Sequence, residues 1–287
     1  MRGVILAGGR GTRLGAASLA VNKHLQQVYD KPLIFYPLST LMLAGIRDVT
    51  IVVNPDDEDV FRGLLAAGEH LGIQISWAVQ SEPKGIVDGL LAAKSDDEEP
   101  VTLVLGDQVL YGTDVGFSLG EEYVAGEATV FAARVPDPER YAVIEFAPDG
   151  RPCAIEEKPA KPRSHWVLPG LYIFPPDVWA VAAAVRPSAR GEFEVVDVVR
   201  HYLEEYRLNV KAMSRATFWI DAGTPDSLLA ASSHVASVTK RHGELVASPE
   251  EVAYRQGWID TVQFEDAISR LAGSDYAERL ASNLMPS

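Results

Sequence analysis

Arg2-Gly3-Val4-Ile5-Leu6-Ala7-Gly8-Gly9-Arg10-Gly11-Thr12-Arg13-Leu14 opens the chain and decides its fold. Residues 2–7 form a short apolar run, the pattern of a strand buried on both faces of a parallel sheet. It empties into Gly8, Gly9 and Gly11, where missing Cβ atoms let backbone N–H groups close on an anion. Arg13 and Lys23 add positive charge just behind that turn. These parts suit a polyphosphate. Two familiar phosphate motifs nevertheless fail: no Gly-Lys-Ser/Thr triplet follows the glycines, and the third glycine of a G-x-G-x-x-G fingerprint falls on Leu14. The competing reading is an ordinary glycine turn at a strand end, and Arg13 and Lys23 count against it.

Working outward, residues 33–44 read as an apolar helix begun at Pro32 and stopped by Gly45. Asp48–Val53 follows as a strand, 56–67 as a helix with Val60, Leu64 and Leu65 on one face, and 73–79 as a third strand. A loop from Gln80 to Gly85 leads to a short helix through Leu90 and Leu91. The strand Val101–Leu105 then ends in Gly106-Asp107. Alternating strands and helices predict an α/β fold, with a mostly parallel sheet covered by helices on both faces.

The middle of the chain changes character. Short strands over 128–135, 142–146, 153–155 and 170–174, separated by Pro, Gly and Asp, predict a sheet extension or an antiparallel lid. A helix over 193–206 and a last strand at Trp219-Ile220-Asp221 close the region. Thr224 caps a long helix with Leu228, Leu229, Val235 and Val238 facing inward. The rest is amphipathic helix, expected to pack on one flank. The expected division is an α/β core over 1–225, with an insert at about 128–218, and a helical region over 226–287.

With 287 residues, 47% hydrophobic, and a mean hydropathy of +0.01, the composition is that of a water-soluble globular protein. No apolar run approaches the roughly 18 residues of a membrane span. The N-terminus lacks a signal peptide's cationic and apolar regions. The expected compartment is the cytoplasm. A net charge of −14 argues against nucleic acid, whose binding is driven by phosphate neutralisation. The lone Cys153 excludes an intrachain disulfide and is expected to pack as a small hydrophobe. The six histidines show no metal-ligand spacing.

Ligands of open α/β sheets lie beyond the carboxyl ends of the strands, where Gly8–Arg13, the 80–85 loop and Asp107 all fall. Asp221 follows another strand. Two carboxylates converging on an anion cleft call for a cation between them, and Mg²⁺ fits, being completed by waters and substrate phosphates. Each aspartate taken alone reads equally well as a turn residue.

The stretches Leu6–Leu14, Lys23, Tyr29-Asp30-Lys31-Pro32, Leu105-Gly106-Asp107, Asp137-Pro138-Glu139-Arg140-Tyr141, Glu156-Glu157-Lys158-Pro159 and Trp219–Thr224 together resemble the sugar-1-phosphate nucleotidylyltransferases. The glucose-1-phosphate thymidylyltransferase branch is the nearest, and 37–47 and 251–256 match it too. That resemblance implies a Rossmann-like (GT-A-like) nucleotidyltransferase core, Mg²⁺ as cofactor, and a homotetramer. It also implies roles. Leu6, Gly8, Gly9 and Gly11 would lie against the nucleotide, with Arg13 on the departing pyrophosphate and Lys23 at the α-phosphate. Gln80 and Gly85 would read a pyrimidine. Asp107 and Asp221 would hold the metal. Tyr141, Ala142, Glu157, Lys158 and Arg190 would hold the sugar phosphate, and Tyr254 and Arg255 would lie in a regulatory nucleotide-sugar site near a subunit interface.

The implied reaction joins a sugar-1-phosphate to the nucleotidyl group of dTTP or UTP and releases pyrophosphate. Some positions depart from the branch. Gln108 stands where Asn is usual, Ala142 for Gly, Pro169 for Thr, Ile86-Val87-Asp88-Gly89 for Leu-Ala-Gln-Ala, and Ala16 and Gln27 for prolines. Ala142 adds a methyl and Pro169 removes a donor, which predicts either a reshaped sugar pocket with an altered sugar substrate or drift with compensating shifts and glucose-1-phosphate still accepted. The competing function is a non-catalytic nucleotide-sugar binder on the same fold. Intact Arg13, Lys23, Asp107, Lys158 and Asp221 favour the enzyme.

Overall fold

A computed structural model describes residues 1–112, 119 and 121–282. Its centre is a ten-stranded mixed sheet. From one edge the strands run Pro152–Glu157, Ala142–Phe146, Trp166–Val167, Ala128–Arg134, Leu171–Phe174, Val101–Leu105, Arg2–Leu6, Asp48–Val53 and Gln74–Val79. Leu208–Ala212 joins Ala128–Arg134 in parallel, off that path.

The four strands from Val101–Leu105 to Gln74–Val79 are mutually parallel. Arg2–Leu6 lies between them with Val4 and Ile5 fully buried, as a two-sided apolar run requires. After this strand the chain first builds outward to Asp48–Val53 and Gln74–Val79. It then returns to the other side with Val101–Leu105. The order reverses between Arg2–Leu6 and Val101–Leu105, and a crevice opens at that point beyond the strand ends. Ala7, Gly8, Gly106 and Asp107 stand there.

The middle strands extend this sheet. Leu171–Phe174 pairs antiparallel with Val101–Leu105 and hands the sheet on to Ala128–Arg134 and the outer ribbon. Trp219–Asp221 is a correction: the strand Phe218–Asp221 stays out of the main sheet and pairs antiparallel with Gln108–Tyr111. That second strand follows Val101–Leu105 after the turn at Gly106-Asp107, so both carboxylates sit at one end of a short ribbon.

Other boundaries shift for local reasons. Residues 27–32 form a small hairpin, Gln27–Val28 against Lys31–Pro32, turned by Tyr29 at φ 59°. Pro32 therefore sits in a strand, and the helix begins at Phe35. That helix holds Pro37 in its first turn, where a missing N–H costs little. The helix Glu58–Leu65 buries Phe61 and Leu65 and exposes Val60. Thr224 does cap Pro225–His242, in a reciprocal capping box with Ser227. Ala231 and Val235 face inward, but Leu229 is 67% exposed, because the buried stripe runs one position out of phase with it. Cys153 is exposed on the edge strand and does not pack as a core residue. Helices Pro249–Arg255, Thr261–Arg270 and Asp275–Ser282 follow, with Val252, Phe264, Tyr276 and Leu280 joining the same apolar cluster as Ile5 and Val53.

Candidate active site

The floor of the crevice is backbone. Gly106 N–H donates to Leu6 O at 2.9 Å and Ala7 N–H to Val52 O at 2.7 Å. A Cβ on Gly106 would lie 2.7 Å from both Leu6 O and the His24 ring, so only glycine lets these strand ends close. His24 is buried beneath them, its pKa pushed down to about 3 by burial and then by Lys23. It is a neutral packing element. The sequence reading passed over it because only its burial marks it.

Lys23 reaches over this floor. Its Nζ lies 2.5 Å from Asp107 Oδ2, and both side chains are about nine-tenths buried. Its stem runs along Gly9 and Gly11, where added Cβ atoms would meet it at 3.2 and 2.9 Å. The glycines thus make room for the lysine stem. Burial is the largest single influence on Asp107 and opposes its charge, but Lys23, His24 and Gln108 together outweigh it and hold the carboxyl well below the usual carboxylate range.

Asp221 faces the same crevice. It lies directly across from Gln108 in the ribbon, and Ala222 N–H donates to Asp107 O at 2.9 Å. Its Oδ1 accepts from Gly223 N–H at 2.8 Å, and its Oδ2 is 3.6 Å from Arg13 Nη2. Burial, then the negative charge of Asp107, pushes its pKa up. Two largely buried carboxylates that repel each other, with Lys23 and Arg13 beside them, suit a bound divalent ion. Among the described residues no cluster of three or more His, Cys, Asp or Glu forms a metal site. A two-carboxylate donor set fits a hard ion completed by phosphate and water oxygens, which is the habit of Mg²⁺.

Gln108 ties this pair together. Its Nε2 donates to Asp107 Oδ1 at 2.9 Å, and its Oε1 accepts from Trp219 Nε1 at 2.6 Å. The Trp219 ring lies 5.2 Å from that of Tyr141. Trp219 had no role in the sequence reading, though it sits inside a matched motif. A cavity of about 570 Å³ opens here, walled by Tyr141, Trp219, Asp221 and Thr224.

Glu157, Lys158 and Arg190 form a second group. Lys158 Nζ is 3.2 Å from Glu157 Oε1, and Arg190 Nη2 is 3.4 Å from the same oxygen. Arg190 is held more tightly by Glu194, at 2.7 Å, so its charge is partly committed. Lys158 adopts a left-handed φ of 45°, a conformation costing about 1–2 kcal/mol that is concentrated at functional sites. Ala142 is paired across from Glu157, so its methyl and that carboxylate share one face.

At the same carboxyl end of the parallel strands, two strands over from Gly8, Gln80 N–H donates to Val53 O at 2.9 Å. Gly85 has φ 116°, and a Cβ would lie 2.5 Å from Phe193 O, so no other residue fits. Phe193 N–H donates to Lys84 O and Val87 N–H to Phe193 O, stitching the Arg190 loop to the 80–85 loop. Away from the crevice, a cavity of about 400 Å³ is lined by Leu43, Tyr111, Ser248, Glu251 and Arg255. Tyr254 is turned elsewhere, its ring stacked 4.6 Å from Phe264.

The chain is similar to known proteins. Residues 2–238 match the Nucleotidyl transferase family. A glucose-1-phosphate thymidylyltransferase of Mycobacterium tuberculosis is 43% identical over 98% of both chains. One from Neisseria meningitidis is 42% identical, again over 98% of each. A Bacillus anthracis protein solved in complex with sucrose superimposes with a TM-score of 0.76 at 31% identity, covering 82% of this chain and 94% of its own. A UDP-glucose pyrophosphorylase complexed with UDP-glucose shares the fold, with a TM-score of 0.71 at 20% identity over 82% of this chain and 98% of its own. The chain belongs to the nucleotidyl transferase family, on the branch it shares with the glucose-1-phosphate thymidylyltransferases.

Proposed function

We propose that this protein transfers the thymidylyl group of dTTP to glucose-1-phosphate, giving dTDP-glucose and pyrophosphate. The observation that carries this is the pairing of Lys23 with Asp107 and Arg13 with Asp221 around the glycine turn at the sheet's switch point. A sugar-phosphate oxygen bonds to the α-phosphorus as the bond from that phosphorus to the oxygen bridging to the β-phosphate breaks. The nucleophile is already ionised near neutral pH, so no general base is needed. The obstacle is bringing two polyanions together, and the residues address it by position and charge.

Gly8, Gly9 and Gly11 lie against the triphosphate, Lys23 beside the α-phosphate, and Arg13 at the leaving pyrophosphate. Lys158 holds the sugar phosphate, with Arg190 nearby, and Glu157 and Tyr141 meet the sugar. Asp107 and Asp221 would hold Mg²⁺, which when bound neutralises developing phosphate charge. Asp107→Asn and Asp221→Asn should each abolish Mg²⁺-dependent pyrophosphate release and leave the far-UV circular dichroism unchanged. Full activity in either variant removes the metal assignment.

The same family relationship supports a homotetramer, with the cavity beside Arg255 as a regulatory nucleotide-sugar site. A monomeric mass by light scattering at micromolar concentration overturns that assembly.

A further inference from the structure

Gln80 is buried at the end of Gln74–Val79, and its amide has two hydrogen bonds. Nε2 donates to Gly85 O at 3.1 Å and to Asp88 Oδ2 at 2.8 Å. A carbonyl and a carboxylate accept only, so they determine which end of the amide faces them: it must be the NH₂ end. Oε1 is therefore turned the other way, toward the strand ends. Cβ atoms built on Gly8 and Gly89 would lie 2.9 and 3.4 Å from it. Among the described residues Oε1 accepts no hydrogen bond. Asp88 is available for this task because the nearby Lys84 is paired with Glu82, 2.7 Å away.

We propose that Asp88 is a positioning residue for base selection, holding the Gln80 amide so that only an acceptor oxygen faces the nucleotide cleft. This rests on the proposed nucleotidyl transfer, with the base seated against Gln80. Thymine and uracil present an N3–H donor to such an oxygen, whereas cytosine presents the N3 lone pair. Seated with N3 against Oε1, a cytosine base would require the amide to flip, turning Oε1 onto Gly85 O and the Asp88 carboxylate, where oxygen meets oxygen with no proton between. Size does not separate these bases, so the selection is one of donor against acceptor.

The test compares dUTP with dCTP, which differ only at N3 and the 4-substituent, in wild type, Asp88→Ala and Asp88→Asn. Wild type should prefer dUTP in kcat/KM. In Asp88→Ala the amide keeps one anchor. The dUTP-to-dCTP ratio should fall by about tenfold or more, through KM, with kcat for dTTP within about twofold. Asp88→Asn can turn its own NH₂ to a flipped Oε1, so only Gly85 O still selects the orientation and its ratio should fall as in Asp88→Ala. A merely structural role would lower the melting temperature of Asp88→Ala and leave the ratio alone, and that result overturns the proposal. Calorimetric binding of dUTP and dCTP reads the same ratio without turnover. Absent transfer with an intact, Asp88-dependent binding ratio counts against the proposed reaction but not against the role of Asp88. Should the alanine variant fail to fold, Asp88→Leu gives the same comparison.

Discussion

Replacing Lys23 with methionine isolates its charge. Methionine keeps an unbranched stem against Gly9 and Gly11, so packing changes little while the ammonium disappears. Asp107 is then a buried carboxylate with no cation in contact, and Asp221 still faces it across the crevice. Breaking a buried pair from one side costs about 3–5 kcal/mol. Gln108 continues to donate to Asp107 Oδ1, which favours the lower part of that range, about 3–4 kcal/mol. For a chain of this size the thermal midpoint should fall by about 6–16 °C. The assay is thermal unfolding without divalent cation, repeated with MgCl₂. Mg²⁺ should raise the variant's midpoint more than the wild type's, because Asp107 no longer has a resident cation to displace. Turnover should drop by about 10²–10³. An Mg²⁺-free midpoint within about 2 °C of wild type would show that the pair carries no such energy, and the electrostatic description of the site would be wrong.

Other outcomes follow from the same contacts. Trp219→Phe keeps a ring against Tyr141 but leaves Gln108 Oε1 buried without a donor, a loss of about 1–3 kcal/mol. Adding Gln108→Leu removes the stranded acceptor but also the donor to Asp107 Oδ1, so a double-mutant cycle of thermal midpoints should show the two losses to be less than additive. Ala142→Gly with Pro169→Thr should raise kcat/KM for glucose-1-phosphate by about tenfold if the methyl beside Glu157 narrows the sugar pocket, and steady-state kinetics showing no change would mark both residues as neutral. Burial, then Arg270, lowers the pKa of His70 to about 4. The unfolded chain binds the proton more readily, so this histidine's contribution is present above about pH 6.5 and is lost as the pH falls toward 4. After allowance for solvent the effect is about 1–2 kcal/mol, and His70→Gln should flatten that part of the stability profile.

Much of this was legible in the sequence because it is local. The runs Arg2–Leu6, Asp48–Val53 and Val101–Leu105 are apolar and bounded by turns, and they form the strands they predict. Thr224 announces its helix through its own side chain. The phosphate and carboxylate positions stand out because glycines, cations and aspartates cluster at strand ends. What was missed depends on distant partners. Gln108–Tyr111 becomes a strand only by pairing with Phe218–Asp221, far along the chain. Leu208–Ala212 is half exposed and lacks the apolar run that marks the other strands. Val60 shares an apolar face in the sequence pattern and Leu229 an inward one, yet both are exposed, because hydrophobicity alone does not set the phase of a helix face. Nothing local says that Asp88 would hold Gln80, or that Phe193 would press against Gly85.

The central claim is tested most directly by incubating the purified protein with dTTP, glucose-1-phosphate and MgCl₂, and measuring dTDP-glucose and pyrophosphate together. Equal amounts of both products, lost on chelation and in Asp107→Asn, are the predicted result. Tight binding of both substrates with no pyrophosphate from dTTP or UTP, and with no sugar phosphate accepted, would contradict it and leave a nucleotide-sugar binder on a nucleotidyl transferase fold.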